Sequence, residues 1–184
     1  MSDVALQLPF LTPEECETAV RYAHKQEETL GANTTDNFNR YNFFKDHPHL
    51  IPRLSDVIRT HFTWLQSPYL IQSWVNIYRK GEGLAWHFHS GMDYHSMTAN
   101  IFVGGQPTPG LRVENAHGES ELIHNTLGEI IIMSCTQKHM VDDNPHDENR
   151  YTIGMTIHDY FSCTPGMLEG AAVNSPEGGQ ILIV

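Results

Sequence analysis

From about residue 70 onward the apolar residues change their spacing from helical to a period of two, and this change constrains the fold more than any other feature of the chain. Successive side chains of a strand point to opposite faces, so a period of two marks a half-buried strand. Residues 150–159 show it most cleanly. Arg150, Thr152, Gly154, Thr156 and His158 fall on one side, and Tyr151, Ile153, Met155 and Ile157 on the other. The apolar side belongs in a core, while the polar side needs hydrogen-bond partners or lines a wet cavity. Segments 71–79, 84–89, 97–103, 111–113, 121–124 and 129–134 also read as strands, separated by turn-rich stretches at 80–83, 104–110, 116–120 and 142–147.

Before residue 70 the pattern is helical. Thr12 can cap a helix, Pro13 suits its first position and Glu15 completes a capping box, so a helix is predicted over about 13–27, carried by Cys16, Ala19, Val20 and Ala23. Leu50, Leu54, Val57, Ile58 and Leu65 define a second helix near 50–66. Residues 31–46 are mostly polar, and 33–39 read as a loop or a short irregular edge strand. Helices first and strands afterwards predict an α+β chain with helices packed outside an antiparallel sandwich or barrel. At 184 residues a single domain is expected, with helices over about 13–66, a β core over about 70–160 and a Gly- and Pro-rich tail over 164–184. The apolar end of that tail, 181–184, can dock on the body or on another subunit.

Composition mainly excludes. No apolar run approaches the ~20 residues of a membrane span, and the start Met-Ser-Asp-Val-Ala lacks the basic and apolar segments of a secretory signal. Cys16, Cys135 and Cys163 are too few and scattered for a disulfide framework or a cysteine zinc site, so a cytoplasmic protein is expected. The net charge of −11, with basic residues dispersed, argues against nucleic acid and anionic membranes as partners. Against that acidic background Arg150 stands out as a cation with a specific anion to bind.

The chemistry concentrates in three places. Gly81-Glu82-Gly83-Leu84-Ala85-Trp86-His87-Phe88-His89 puts two histidines at i and i+2, on the same side of a strand. His139 follows the apolar strand 130–133 after a short polar turn, where a ligand is rigidly held yet accessible. Arg150 and Thr152, at i and i+2, make a carboxylate clamp, the guanidinium binding bidentately and the hydroxyl adding a donor. Tyr78 can reach the same carboxylate. The order His-x-His, His, Arg is close to the His-x-Asp/Glu, His, Arg pattern of non-haem Fe(II) oxygenases.

Trp74-Val75-Asn76-Ile77-Tyr78-Arg79-Lys80-Gly81, then His87-x-His89, then Gly128-Glu129-Ile130, His139 and Arg150-x-Thr152, resembles the Fe(II)- and 2-oxoglutarate-dependent oxygenases. The likeness is to prolyl-4-hydroxylase-like members and their small bacterial and phage relatives, over roughly residues 10–160. The resemblance implies a double-stranded β-helix, or jelly roll, holding Fe(II) at its mouth. His87 and His139 would be the histidine ligands, and His89 would occupy the carboxylate's position. Arg150, Thr152 and Tyr78 would bind the far carboxylate of 2-oxoglutarate, the cosubstrate. The implied reaction is hydroxylation of a C–H bond of a small-molecule or peptide substrate by molecular oxygen, with succinate as coproduct.

His89 departs from that pattern. An imidazole contributes no charge where a carboxylate contributes −1. Three arrangements are open: His89 ligates, giving a three-histidine site; it points away and leaves room for water or an anion, as in related halogenases; or Glu82 or Asp93 fills in. Ligand geometry favours the first. Two other functions compete: a cofactor-free three-histidine iron dioxygenase of the cupin type, and a non-catalytic metal-binding barrel. A cupin has no need of the Arg150-x-Thr152 clamp.

Other residues carry plainer readings. His24, His47, His49, His61 and His117 read as structural, and Trp74 and Trp86 as core or cavity wall. Arg150 has a rival role as a surface ion pair with Asp147 or Glu148. Asp93, Tyr94 and His95 are candidate substrate contacts, and Asn100 and His158 are candidates to face the interior.

Overall fold

A computed structural model describes residues 5–30, 43–65, 68–89, 96–108, 110–160 and 180–183. The capping box forms as the sequence predicts: the Glu15 N–H donates to Thr12 Oγ1 at 3.3 Å and the Thr12 N–H to Glu15 Oε2 at 2.8 Å. It opens α1 (Pro13–Leu30), which runs three residues beyond the expected end. Glu15 also pairs with Arg53 at 2.7 Å, tying the start of α1 to α3 (Ile51–His61). A short helix α2 (Phe43–Asp46) and a 3-10 turn (Pro48–Leu50) precede α3. The second helix ends at His61 rather than 66, where the Phe62 N–H closes on the Ile58 carbonyl; Leu65 is buried from a turn instead.

Two antiparallel sheets follow. The six-stranded sheet has the order β1 (Leu6–Pro9), β7 (Glu129–Ser134), β4 (Met97–Gly104), β9 (Arg150–Asp159), β2 (Tyr69–Tyr78), β10 (Gln180–Ile183). The four-stranded sheet has the order β3 (Leu84–His87), β8 (His139–Val141), β5 (Leu111–Glu114), β6 (Ser120–Ile123). The end of the tail thus docks on the body, adding β10 antiparallel to β2 with Ile181 opposite Ile71.

The alternation of β9 sorts the interior into two compartments. Ile153, Met155 and Ile157 join Ile71, Val75, Ile101 and Ile132 in a core closed by Ala19, Ala23, Phe44, Leu54 and Ile58 from the helices. The opposite face of the same sheet looks toward the smaller sheet, and there Ile131 and Met133 pack with Leu111, Val113, Ile123 and Val141. Between the sheets the register aligns polar rows. Thr156 sits opposite Gln72 on one side and Thr98 on the other, and Gly154 lies between Trp74 and Asn100. Gly154 is required by its neighbour, since a Cβ there would come within 2.8 Å of the Trp74 indole. The class is α+β, as expected.

Candidate metal centre and cavity

The three histidines converge. His87 ends β3 directly opposite His139, which begins β8. The strand stops before His89, but the His89 N–H donates to the Cys135 carbonyl at 3.0 Å, holding it against the turn that leads to His139. One ring nitrogen from each of His87, His89 and His139 lies within 4.8 Å of the others. The ring centroids of His87 and His139 are 4.2 Å apart, and those of His89 and His139 are 5.4 Å apart. No other cluster of this kind occurs among the described residues.

Two of the rings are oriented by the backbone. His87 Nδ1 lies 2.9 Å from the Ala85 carbonyl, and His139 Nδ1 lies 2.8 Å from the Gln137 carbonyl. A carbonyl only accepts, so each Nδ1 carries the proton and each Nε2 keeps a lone pair. Burial pulls the pKa of His89 down to about 4, helped by His139 and His87 nearby. Burial likewise lowers His139 to about 4, against the opposing hydrogen bond to Gln137. Both rings are therefore neutral at pH 7, the state that metal ligation requires.

A stability effect follows from these values. Between pH 6.5 and about 4 the unfolded chain takes up protons on His89 and His139 that the folded chain excludes. The metal-free protein is thus most stable above pH 6.5 and loses stability as pH falls through that window, by up to roughly 3 kcal/mol per imidazole. Melting temperatures between pH 7 and 4.5 check this, and the slope should be shallower in His139→Ala. An equal slope in that variant would refute the assignment.

The histidines border a cavity of about 300 Å³ between the sheets. Leu84, Leu111, Met133 and Val141 supply apolar wall; Gln72, Trp74, Asn76, Thr98, Asn100 and Thr156 come from the inner face of the larger sheet. Tyr78 also lines the cavity. Arg150 and Thr152 stand immediately behind this lining. Arg150 is 1 % exposed, and its guanidinium carbon lies 4.3 Å from the centroid of the Tyr78 ring. Burial lowers the Arg150 pKa while Tyr78 raises it; burial raises the Tyr78 pKa while Arg150 and Thr152 lower it. The amides of Asn76 and Asn100 both donate to Thr152 Oγ1 at 3.2 Å.

Several sequence expectations are thereby decided. The surface ion-pair role for Arg150 is excluded, because Asp147 pairs with Lys80, Glu148 accepts from Gln106 and Arg150 is buried. Glu82 is held away from the histidines by the backbone N–H and guanidinium of Arg79. His158 and Asn100 face the interior, His158 with Nδ1 2.8 Å from Ser96 Oγ. Trp74 lines the cavity as predicted, but Trp86 does not: it is 38 % exposed, with Lys138 over its ring, because β3 is an edge strand and Trp86, like Phe88, points to water on the face opposite His87. His24 bonds the Tyr151 hydroxyl and His47 stacks on Phe43, both structural. Asp93, Tyr94 and His95 lie outside the described residues. Thr156 lines the cavity from the polar side of residues 150–159 as the sequence predicts, while sequence reasoning missed Gln72 and Thr98, which the register sets on either side of it.

Among the described residues no helix is long and apolar enough to cross a membrane. No family model matches the sequence, and no curated protein does. Solved structures do match. The chain superposes on a prolyl-4-hydroxylase from Pseudomonas putida with a TM-score of 0.63 at 14% identity, covering 84% of this chain and 91% of that one. AviO1 from Streptomyces viridochromogenes gives 0.66 at 12% identity, with 89% and 93% covered. The non-haem α-ketoglutarate-dependent epimerase SnoN from nogalamycin biosynthesis gives 0.62 at 9% identity, with 85% and 77% covered. The chain therefore shares the fold of prolyl-4-hydroxylase and of non-haem α-ketoglutarate-dependent enzymes.

Proposed function

We propose that this protein is an Fe(II)- and 2-oxoglutarate-dependent oxygenase that hydroxylates a C–H bond, with His87, His89 and His139 as the metal ligands. The two sheets would then form the double-stranded β-helix of that enzyme class. The observation that carries the reading is the convergence of three histidine nitrogens on a cavity whose lining is backed by a buried arginine. The donor set fits a divalent first-row metal: neutral imidazoles with two rings pre-oriented by backbone carbonyls. Bound iron supplies the activation of molecular oxygen, which no side chain here can perform.

The chain's own residues bind and orient. Arg150, with Thr152 and Tyr78, holds the far carboxylate of 2-oxoglutarate, a desolvated guanidinium being stabilised by an anion brought to it. Thr152 accepts from Asn76 and Asn100 with both lone pairs, so its hydroxyl proton is available to Tyr78 or to the cosubstrate. The apolar wall of Leu84, Leu111, Met133 and Val141 limits water near the metal and presents a surface to a small-molecule or peptide substrate.

His89 at the carboxylate's place favours one other reading, a three-histidine dioxygenase that needs no cosubstrate. An anaerobic titration separates them. Fe(II) followed by 2-oxoglutarate is expected to give the weak visible charge-transfer band of a chelated keto acid, absent from His139→Ala. Iron binding without the band would favour the cosubstrate-free enzyme, and no iron binding would favour a non-catalytic barrel.

A further inference from the structure

We infer that Thr98 fixes the tautomer of His89, so that His89 offers Nδ1 to the metal where His87 and His139 offer Nε2. The inference rests on the three-histidine reading above and assigns Thr98 as a positioning residue for that site. Thr98 Oγ1 lies 3.2 Å from His89 Nε2 and 3.2 Å from the Met155 carbonyl oxygen. A hydroxyl has one proton, and a carbonyl can only accept. The proton therefore goes to Met155, Oγ1 turns a lone pair toward His89, and Nε2 must be the donor. Nδ1 is left with the lone pair.

The opposite assignment fails on two counts. If the hydroxyl donated to Nε2, two bare oxygens would face each other at the Met155 contact. Both nitrogens of His89 would also be spent, one accepting and one protonated, so the ring would have nothing to give a metal. The hydroxyl is not free to escape this choice. Thr98 is buried on a central strand, paired with Thr156 on one side and Met133 on the other.

The chemistry explains how a histidine can stand where a carboxylate is expected. Nδ1 is bonded to Cγ, as each carboxylate oxygen of an aspartate is. A histidine ligating through Nδ1 thus places its donor the same number of bonds from the backbone as aspartate does, whereas Nε2 would stand on the far side of the ring. The site holds two histidines clamped at Nδ1 by carbonyls and one clamped at Nε2 by a hydroxyl, and the difference in clamp sets the difference in donor.

The test uses the full chain with 15N-labelled histidine, loaded with Zn(II) as a diamagnetic probe, and long-range 1H–15N correlation spectra. The expected result is metal on Nδ1 of His89 and on Nε2 of His87 and His139; metal on Nε2 of His89 would overturn the inference. Zn(II) affinity gives a second arm. Thr98→Val should weaken binding by about tenfold, the lower end for loss of an outer-shell partner, and Thr98→Ser should restore it. If His89→Ala weakens binding while Thr98→Val equals wild type, the tautomer role is wrong and the three-histidine site stands. If His89→Ala leaves affinity unchanged, the three-histidine reading itself falls.

Discussion

Alanine in place of His139 is expected to cost roughly a hundredfold or more in divalent-metal affinity, beyond the about 10–100-fold of losing an outer-shell partner. In the proposed site His139 is the donor that closes the cluster from a different strand: His87 and His89 come from one short segment, and His139 stands opposite His87 across the β3–β8 pairing. Without it two donors remain, and no carboxylate among the described residues joins the cluster to replace it. Glu82 is held by Arg79, and Asp142, three residues beyond His139, is held by Arg112. The loss should therefore not be compensated locally. His89→Asp should behave differently, keeping or improving Fe(II) affinity because it adds a negative charge to an otherwise neutral donor set. Anaerobic competition against a chromophoric chelator measures both, with circular dichroism to confirm that the variants fold. Unchanged affinity in His139→Ala would refute the metal site.

The parts of this fold that were legible in the sequence are those whose two faces differ in polarity. β9 alternates cleanly because its outer face packs under the helices and its inner face lines the polar space between the sheets, and α1 announces itself by the Thr12–Glu15 capping box. β1, β8 and β10 are short, and what makes each a strand is its long-range partner, β7, β3 and β2 respectively, which local pattern does not contain. α2 hid in a polar stretch because only Phe43 and Phe44 anchor it. The site divides the same way. His87, His139 and Arg150 are chemically distinctive residues at telling spacings. Thr98 is an ordinary residue type made relevant only by register, which sets it beside Thr156 on the inner face. Trp86 was misplaced because a strand pattern does not say which strand forms an edge.

Arg150→Met is expected to abolish 2-oxoglutarate binding at millimolar concentrations while leaving metal affinity within about twofold of wild type, since truncating one partner of a buried charge pair costs about 2–5 kcal/mol, or roughly 30- to 5,000-fold. The side chain is fully buried, and the Tyr78 ring lies against its guanidinium. Methionine keeps most of the apolar stem and removes the desolvated charge. If Arg150 serves the cosubstrate, the metal-free variant should remain within about 1 kcal/mol of wild-type stability, because relief of desolvation offsets the lost contacts. If Arg150 instead serves the fold, stability should drop and cosubstrate affinity should follow only as a consequence. Arg150→Lys separates charge from geometry: it keeps the cation but loses the fork that matches a carboxylate, so its affinity should fall between the other two. Isothermal titration of 2-oxoglutarate into Zn(II)-loaded protein, with thermal melts of the same samples, reads both quantities. Wild-type affinity in Arg150→Met would remove the clamp, and with it the feature that distinguishes this site from a three-histidine dioxygenase acting without a cosubstrate.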